Sequence, residues 1–183
     1  LISLSECEKF EDALKETLLK LRGAFSILFL FQNKIYAARD PLGIRPLYIG
    51  KHKTGYILAS ESLVIDKLSG KYYRDVEPGE LIRLSGSRMF SENWCETISS
   101  KFCIFEFIYF SFPQSLILGR SVSSIREEMG CLLFEEHPLE ADFIVGVPDS
   151  GRSSAYGYSV ASGIPFNNDA ITRNQAIRSF ISS

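Results

Sequence analysis

The sequence has few of the residues that build metal centres or disulfide scaffolds. It contains four cysteines and two histidines in 183 residues. The cysteines are Cys7, Cys95, Cys103 and Cys131, and no two of them form a CxxC pair. Zinc knuckles and disulfide-dense secreted domains need closely spaced cysteines or Cys/His sets, so both classes are excluded. Both histidines lie among residues typical of turns, and we interpret them as solvated side chains.

A positive charge excess and a long hydrophobic segment are also missing. Lys and Arg number 20 against 22 Asp and Glu, which gives a formal net charge of -2. The basic residues are scattered, so no nucleic-acid partner is predicted. The longest apolar run, Phe25 to Phe31, is much shorter than the ~20 residues that cross a bilayer. No secretory signal pattern opens the chain, and we predict a cytoplasmic protein without a membrane partner.

The residues up to about position 90 follow the pattern of one helix and several short antiparallel strands. Apolar residues recur every three or four positions over Ser5–Arg22, which predicts an amphipathic helix with Ser5 and Glu8 as a capping box. Two runs of β-forming residues, Ala24–Phe31 and Lys34–Ala38, flank Gln32 and Asn33, which predicts a hairpin. A strand at Tyr56–Ser60, a short helix after it and a hairpin around Ser85–Ser87 complete this part.

The pattern changes after a polar segment, Ser91–Lys101, which is the best candidate for a linker. The aromatic-rich run Cys103–Phe110 that follows has the composition of a buried segment. Apolar residues from Val122 to Leu133 predict a helix that ends near His137. Alternation of helix and strand here indicates an α/β sheet.

The residues from Ala141 to Gly163 predict a strand, a tight turn and a helix. The strand is Phe143–Val147, the turn holds Asp149, Ser150 and Gly151, and the helix begins at Arg152. Such a turn lies at the carboxyl end of its strand, where free backbone N–H groups and a helix N-terminus bind anions, so it is a candidate phosphate or pyrophosphate site. The alternative is a helix cap, in which the side chain of Asp149 or Ser150 bonds the first free amides of the helix.

Several motifs, in consecutive order, resemble a known family. RDPLGIRPLY at Arg39–Tyr48, ILASES at Ile57–Ser62 and VEPGE at Val76–Glu80 resemble the glutaminase domain of class II glutamine amidotransferases, and asparagine synthetases have a similar loop. The later motifs decide between these families. They resemble the glutamine phosphoribosylpyrophosphate amidotransferases, and they are CIFEFIYFSFPQS at Cys103–Ser115, VPDSGR at Val147–Arg152, ASGIPF at Ala161–Phe166 and RSFI at Arg178–Ile181.

The resemblance implies an internal fragment of mixed α/β class, with an α+β first part. Residues 1–95 would be the later part of an N-terminal-nucleophile glutaminase sandwich, and residues 96–183 the first portion of a phosphoribosyltransferase-type α/β domain. In the family, ammonia released from glutamine is joined to phosphoribosyl pyrophosphate to give phosphoribosylamine for purine synthesis. The implied partners are therefore glutamine and phosphoribosyl pyrophosphate, and a homo-oligomer is expected of the full-length protein.

The resemblance also implies roles for individual residues. Ser150 matches a hydroxyl residue near Mg²⁺ and pyrophosphate, and Asp149, Gly151 and Arg178 match substrate-binding positions. Cys103 matches the first ligand of a [4Fe-4S] cluster in one subgroup, although buried packing is the simpler interpretation.

No catalytic residue is assigned. The nucleophilic cysteine would precede Leu1, and the paired aspartates that hold ribose and Mg²⁺ would follow Ser183. The family pattern K-N-R-Y-x-G-R is also altered here, as Thr172 to Arg178, which lacks the Lys, the Tyr and the hinge Gly of the family, so this loop is not predicted to close as a lid.

Two further hypotheses remain open. One is a non-catalytic remnant that acts as an interaction piece, and the other is a small anion-binding module that retains only the turn. Because an incomplete parallel sheet leaves faces uncovered, we expect Phe105, Ile108, Phe110 and Ile144 to be partly exposed. Arg39, Asp40 and Arg45 are interpreted as structural residues of an Asp-Pro-x-Gly loop.

Overall fold

The computed structural model describes residues 10–96 and 99–173. The chain divides into two compact units, one that ends at Cys103 and one that begins at Ile104. No helix among the described residues is both long and apolar enough to span a membrane.

The described residues of the first unit form two helices and seven strands. The helices are α1 (Phe10–Lys20) and α2 (Ser62–Lys67). The strands are β1 (Ser26–Phe31), β2 (Lys34–Arg39), β3 (Tyr48–His52), β4 (Gly55–Ala59), β5 (Lys71–Asp75), β6 (Glu80–Ser85) and β7 (Arg88–Asn93). They form an antiparallel sheet in the order β1-β2-β6-β7 and a second one in the order β4-β3-β5.

The helices and sheets of the first unit form four layers, with a hydrophobic core between each layer and the next. Tyr36 and Ala38 of β2 pack with Leu14 and Leu18 of α1, whereas Ala37 between them packs with Ile49 of β3. The opposite face of the second sheet is covered by α2, whose Ile65 packs with Tyr48 and Ala59. Successive strand residues point to opposite faces, so each sheet contributes to two cores. The order of layers is helix, sheet, sheet, helix.

The predicted first helix and hairpin are confirmed. Helix α1 buries Ala13, Leu14 and Leu18, and Gly23 follows it with φ +98°. Gln32 and Asn33 both have positive φ, which is the backbone of the two-residue turn that matches the twist of β1 and β2. The predicted capping box at Ser5 and Glu8 lies outside the described residues.

Arg39 and Asp40 bond the backbone of their own loop, as their structural interpretation predicts. The Arg39 guanidinium donates to the carbonyls of Arg45, Val76 and Gly43 at 2.8, 2.5 and 2.8 Å. The fully buried carboxylate of Asp40 accepts from the backbone N–H groups of Leu42, Ile44 and Phe25. Two side chains thereby satisfy six backbone groups, four of them in the loop itself and two, the Val76 carbonyl and the Phe25 N–H, in neighbouring segments.

From Ile104 to Arg173, the part of the second unit that the structure describes, the chain forms two longer helices and a short hairpin. Its elements are a five-residue π-helical turn (Glu106–Phe110), β8 (Leu116–Ile117), β9 (Arg120–Ser121), α3 (Val122–Glu136) and α4 (Gly151–Ser162). The hydroxyl of Ser121 caps α3 by accepting from the N–H of Ser124. Helix α4 ends at Gly163, whose φ of +74° is the left-handed conformation that commonly stops a helix.

The aromatic run Cys103–Phe110 is mostly exposed, so the prediction that it is buried is wrong. Only Glu106 and Phe107 of the π-helical turn are buried, while Phe105 and Tyr109 are 54% and 59% exposed. A single helical turn directs only part of its circumference at its neighbour, here α3, and the other side chains face outwards. The expected exposure of Phe105, Ile108 and Phe110 is confirmed, and Ile144 is half-buried.

The predicted linker also differs from the structure. Ser91 to Asn93 belong to β7, and Trp94 is buried in the core under α1. Its indole Nε1 donates to the carbonyl of Arg39 at 3.2 Å. This part of the segment is therefore fixed to the first unit by hydrogen bonds and by burial of an aromatic ring.

Candidate functional site

The candidate turn follows one member of a parallel backbone pair. Ile144 forms a parallel bridge with Phe166, and the Ile144 N–H and carbonyl bond the Pro165 carbonyl and the Asn167 N–H, each at 2.8 Å. The predicted strand Phe143–Val147 is thus reduced to one bridge, because no further ladder partner joins it among the described residues. Helix α4 connects the two segments, and its Tyr156 ring lies 5.9 Å from that of Phe166. The arrangement is a small strand-helix-strand unit.

The turn itself leads directly into α4. Gly151 begins the helix, one residue before the predicted start, and its N–H donates to the carbonyl of Val147 at 3.1 Å. Ser150 is the N-cap residue, but within the described part of the chain its hydroxyl accepts no capping bond. The alternative interpretation, in which a side chain caps α4, is therefore not observed for Ser150. The first amides of α4 and this hydroxyl are grouped at one end of the helix.

Asp149 is paired with an arginine from a later segment. Arg173 Nη1 donates to Asp149 Oδ2 at 2.9 Å, and the two side chains are 49% and 64% exposed, respectively. The chain reaches this position after a turn in which the Asn167 Oδ1 accepts from the N–H groups of Asp169 and Ala170. Residues that follow both parallel segments therefore meet at the same edge, where α/β folds bind their ligands.

A second arginine lies at the start of α4. Arg152 is partly buried, and its Nε is a buried donor without a partner among the described residues. Gly146 permits the close packing here, since a β-carbon at Gly146 would lie 2.6 Å from the Arg152 Cα. A cation in the first turn opposes the helix dipole, so nearby negative charge would stabilise it. The sequence analysis assigned no site role to Arg152 or Arg173. Arg152 could have been found, because it is a cationic residue that directly follows the candidate anion-binding turn in the VPDSGR motif.

Of the two predicted metal ligands, Ser150 lies in the turn beside Asp149 and Cys103 lies far from it in the sequence. Asp149 and Ser150 offer oxygen atoms, which suit Mg²⁺ when a substrate phosphate and water complete its coordination. No group of three or more His, Cys, Asp or Glu side chains is arranged to hold a metal in residues 10–96 and 99–173. Cys103 is a half-buried free thiol and does not by itself fit an iron–sulfur cluster, which takes four ligands. Arg178 lies outside the described residues.

Comparison with known proteins gives the chain a family context. Residues 3–67 match the family model of the glutamine amidotransferase domain. The chain is 40% identical over 171 residues to an amidophosphoribosyltransferase of Bacillus subtilis, across 93% of this chain and 36% of that protein. It is 39% identical to the Mycobacterium tuberculosis enzyme of the same name, across 93% of this chain and 32% of that protein. The chain is a homologue of the amidophosphoribosyltransferases.

Two solved structures have a fold similar to that of this chain. The glutamine phosphoribosylpyrophosphate amidotransferase from B. subtilis, complexed with ADP and GMP, matches with a TM-score of 0.92 and 39% identity. That match covers 100% of this chain and 40% of that one. A structure described as the allosteric regulatory enzyme of purine biosynthesis matches with a TM-score of 0.86 and 38% identity, over 98% of this chain and 40% of the other. The predicted mixed α/β class is confirmed, and the chain spans about a third of the length of its curated relatives.

Proposed function

We propose that this chain is part of an enzyme that transfers glutamine-derived ammonia to phosphoribosyl pyrophosphate, giving phosphoribosylamine for purine nucleotide synthesis. The observation that carries the proposal is the turn at Asp149, Ser150 and Gly151, which lies at the carboxyl edge of a parallel pair and at the N-terminus of α4. It is accompanied by 39–40% identity to amidophosphoribosyltransferases over most of the chain. The turn would bind the pyrophosphate group of the substrate.

The two units are proposed to serve different half-reactions. Residues 1–95, which include the helix-sheet-sheet-helix layers, are assigned as the later part of a glutaminase domain and residues 96–183 as the first portion of a phosphoribosyltransferase domain; the boundary between the two compact units falls slightly later, between Cys103 and Ile104. The match of residues 3–67 to the glutamine amidotransferase domain supports the first assignment. The strand-helix-strand arrangement around Ile144 and Phe166 supports the second.

Mg²⁺ is proposed to accompany the pyrophosphate. When bound, it would neutralise charge on the phosphate oxygens as pyrophosphate departs. The Ser150 hydroxyl and the Asp149 carboxylate are the residues of this chain that would approach it. The backbone N–H groups that follow Gly151 in the first turn of α4 would bind the phosphate oxygens and orient the group, because the Gly151 N–H already donates to the Val147 carbonyl.

Calorimetry with pyrophosphate tests the anion site. We expect heat of binding when inorganic pyrophosphate and Mg²⁺ are titrated into the 183-residue chain, and at least a threefold weaker affinity for Ser150→Ala. Ser124→Ala is the matched control, because Ser124 is exposed in the same unit and lies in α3. Absence of heat with the unaltered chain would rule out the proposed site.

An activity assay tests the assignment of the isolated chain as a fragment. We expect no phosphoribosylamine from the purified chain with phosphoribosyl pyrophosphate and either glutamine or ammonia, because we assign neither complete reaction centre to it. Detection of phosphoribosylamine would contradict this.

A second candidate function is favoured by the exposed aromatic residues of the second unit. Phe105, Tyr109 and Phe112 are each more than half exposed, which is unusual for the surface of a monomer and typical of interaction surfaces. A non-catalytic role through association with an intact homologue would use them. Co-purification with a full-length amidophosphoribosyltransferase, lost on Phe105→Ser and Tyr109→Ser, would support it.

A further inference from the structure

We propose that Arg173 is an anion-binding residue of the turn formed by Asp149, Ser150 and Gly151, and that Asp149 holds its guanidinium beside the turn when no phosphate is bound. This inference rests on the proposed function of the turn as a phosphate site. It adds a residue from a segment distant in sequence, and it predicts an exchange of partners on binding.

The position of Arg173 follows from the backbone on both sides of the site. The segment after Phe166 is held to Ile144 through the Asn167 N–H and then turns through hydrogen bonds to the Asn167 side chain. This path brings Arg173 Nη1 to 2.9 Å from Asp149 Oδ2. Asp149 directly precedes Ser150, the N-cap residue of α4, so the guanidinium is bonded to a residue of the turn itself.

Arg173 can leave Asp149 for another anion at little cost, because both side chains of this ion pair are about half exposed to water. Exposed pairs of this kind contribute about 0–1 kcal/mol, since solvent screens them and two long side chains must be ordered. A phosphate group carries more charge than a carboxylate and accepts two parallel hydrogen bonds from a guanidinium fork. A phosphate at the turn would therefore compete well with Asp149 for Arg173.

The charges around the turn also favour a role for Arg173 in anion binding. Asp149 alone would repel a phosphate at the N-terminus of α4. Arg173 neutralises that carboxylate, and Arg152 adds a positive charge in the first helical turn with a buried Nε–H that lacks an acceptor among the described residues. With both arginines, the side chains around the turn carry one net positive charge, which favours an anionic ligand.

The test is calorimetric titration of inorganic pyrophosphate with Mg²⁺ into the full chain and three variants. We expect Arg173→Gln to weaken binding about tenfold, as loss of a charge-assisted hydrogen bond predicts. Arg173→Lys should weaken it less, because the charge remains and the fork is lost. Arg120→Gln is the matched control, since Arg120 is exposed in the same unit and is also paired with a carboxylate, that of Glu128; we expect less than a twofold change.

The possible results separate this inference from the proposed function. If Arg173→Gln binds as tightly as the unaltered chain while Ser150→Ala is weakened, Arg173 is not a ligand residue and the phosphate site stands. If Arg120→Gln is weakened as much as Arg173→Gln, the effect is one of general charge and the inference is wrong. If the unaltered chain does not bind pyrophosphate, the proposed function fails and this inference fails with it. Circular dichroism of each variant checks that the fold is retained.

Discussion

Gly157 of α4 lies directly against the backbone of Glu127 in α3. A β-carbon at Gly157 would stand 1.9 Å from the carbonyl oxygen of Glu127, and one at Gly130 would stand 1.9 Å from that of Ser154. The Cys131 Sγ donates to the Gly157 carbonyl at 3.3 Å across the same crossing. The two helices therefore touch backbone to backbone, and this contact fixes the direction in which α4 presents its N-terminus to the candidate site.

Replacement of Gly157 by alanine should separate α3 from α4. The added methyl group meets backbone atoms, which cannot move aside as a flexible side chain would, so we expect a loss of at least about 2 kcal/mol in the free energy of unfolding of the second unit. Urea denaturation monitored by circular dichroism measures this change in the free energy of unfolding. Gly151→Ala is the control, because a β-carbon there has its nearest neighbour at 3.8 Å; equal destabilisation by both changes would contradict the prediction.

Arg126 should be essential for the π-helical turn. It is fully buried, and it donates from Nε to the Phe107 carbonyl at 2.5 Å and from Nη2 to the Ser111 carbonyl at 2.8 Å. Arg126→Met would leave these carbonyls without their donor, at an expected cost of about 2–4 kcal/mol. Hydrogen exchange should then increase at residues 106–111, whereas Arg120→Gln on the surface should leave it unchanged. Unaltered exchange in Arg126→Met would show that the turn is held by other contacts.

The fold of the first unit was largely predictable because the patterns that determine it involve residues close together in the sequence. Alternation of apolar residues sets the two faces of β2, and Gln32 and Asn33 supply the positive φ that their hairpin requires. Gly23 likewise marks the end of α1. Patterns with periods of two and 3.6 residues can be found without knowledge of the partner surface.

The second unit was less predictable because its partners are distant in sequence. Composition alone indicated that the run Cys103–Phe110 is buried, and the exposure of Phe105 was expected only from the incomplete sheet. Burial depends on whether a covering element exists. The pairing of Asp149 with Arg173 joins residues 24 positions apart through a turn made by Asn167. Short-range patterns contain no information about such a contact, so the phosphate-site hypothesis named Asp149 and omitted its partner.

Glu80 should make the first unit sensitive to acid. Burial acts to raise the pKa of this carboxyl, but hydrogen bonds from Arg74, from Ser91 and from the Glu77 N–H outweigh it and lower the pKa. Arg74 donates to both carboxylate oxygens, at 2.6 and 2.8 Å. A lowered folded-state pKa adds stability that is present above the unfolded value of ~4.3 and is lost as the pH falls through the folded value.

We therefore expect Glu80→Gln to be less stable near neutral pH by about 1–3 kcal/mol and to lose less stability on acidification than the unaltered chain. Free energies of unfolding at a series of pH values from neutral to acidic measure both effects. Glu92→Gln is the control, since Glu92 forms an exposed pair with Lys15 and should change stability by less than ~1 kcal/mol. Parallel pH curves for Glu80→Gln and the unaltered chain would refute the role of Glu80.

The exposed aromatic residues of the second unit should cause self-association. Phe105, Tyr109 and Phe112 place three large rings in water, and burial of such surface between molecules is favourable by roughly 25 cal/mol per Å². We expect sedimentation velocity to show concentration-dependent association of the chain, and the variant Phe105→Ser/Tyr109→Ser to shift it towards monomer. Leu19→Ser is the matched control, because Leu19 is similarly exposed but lies on α1 in the first unit. A chain that stays monomeric at all concentrations, or a control that reduces association as much as the double variant, would show that this surface does not drive association.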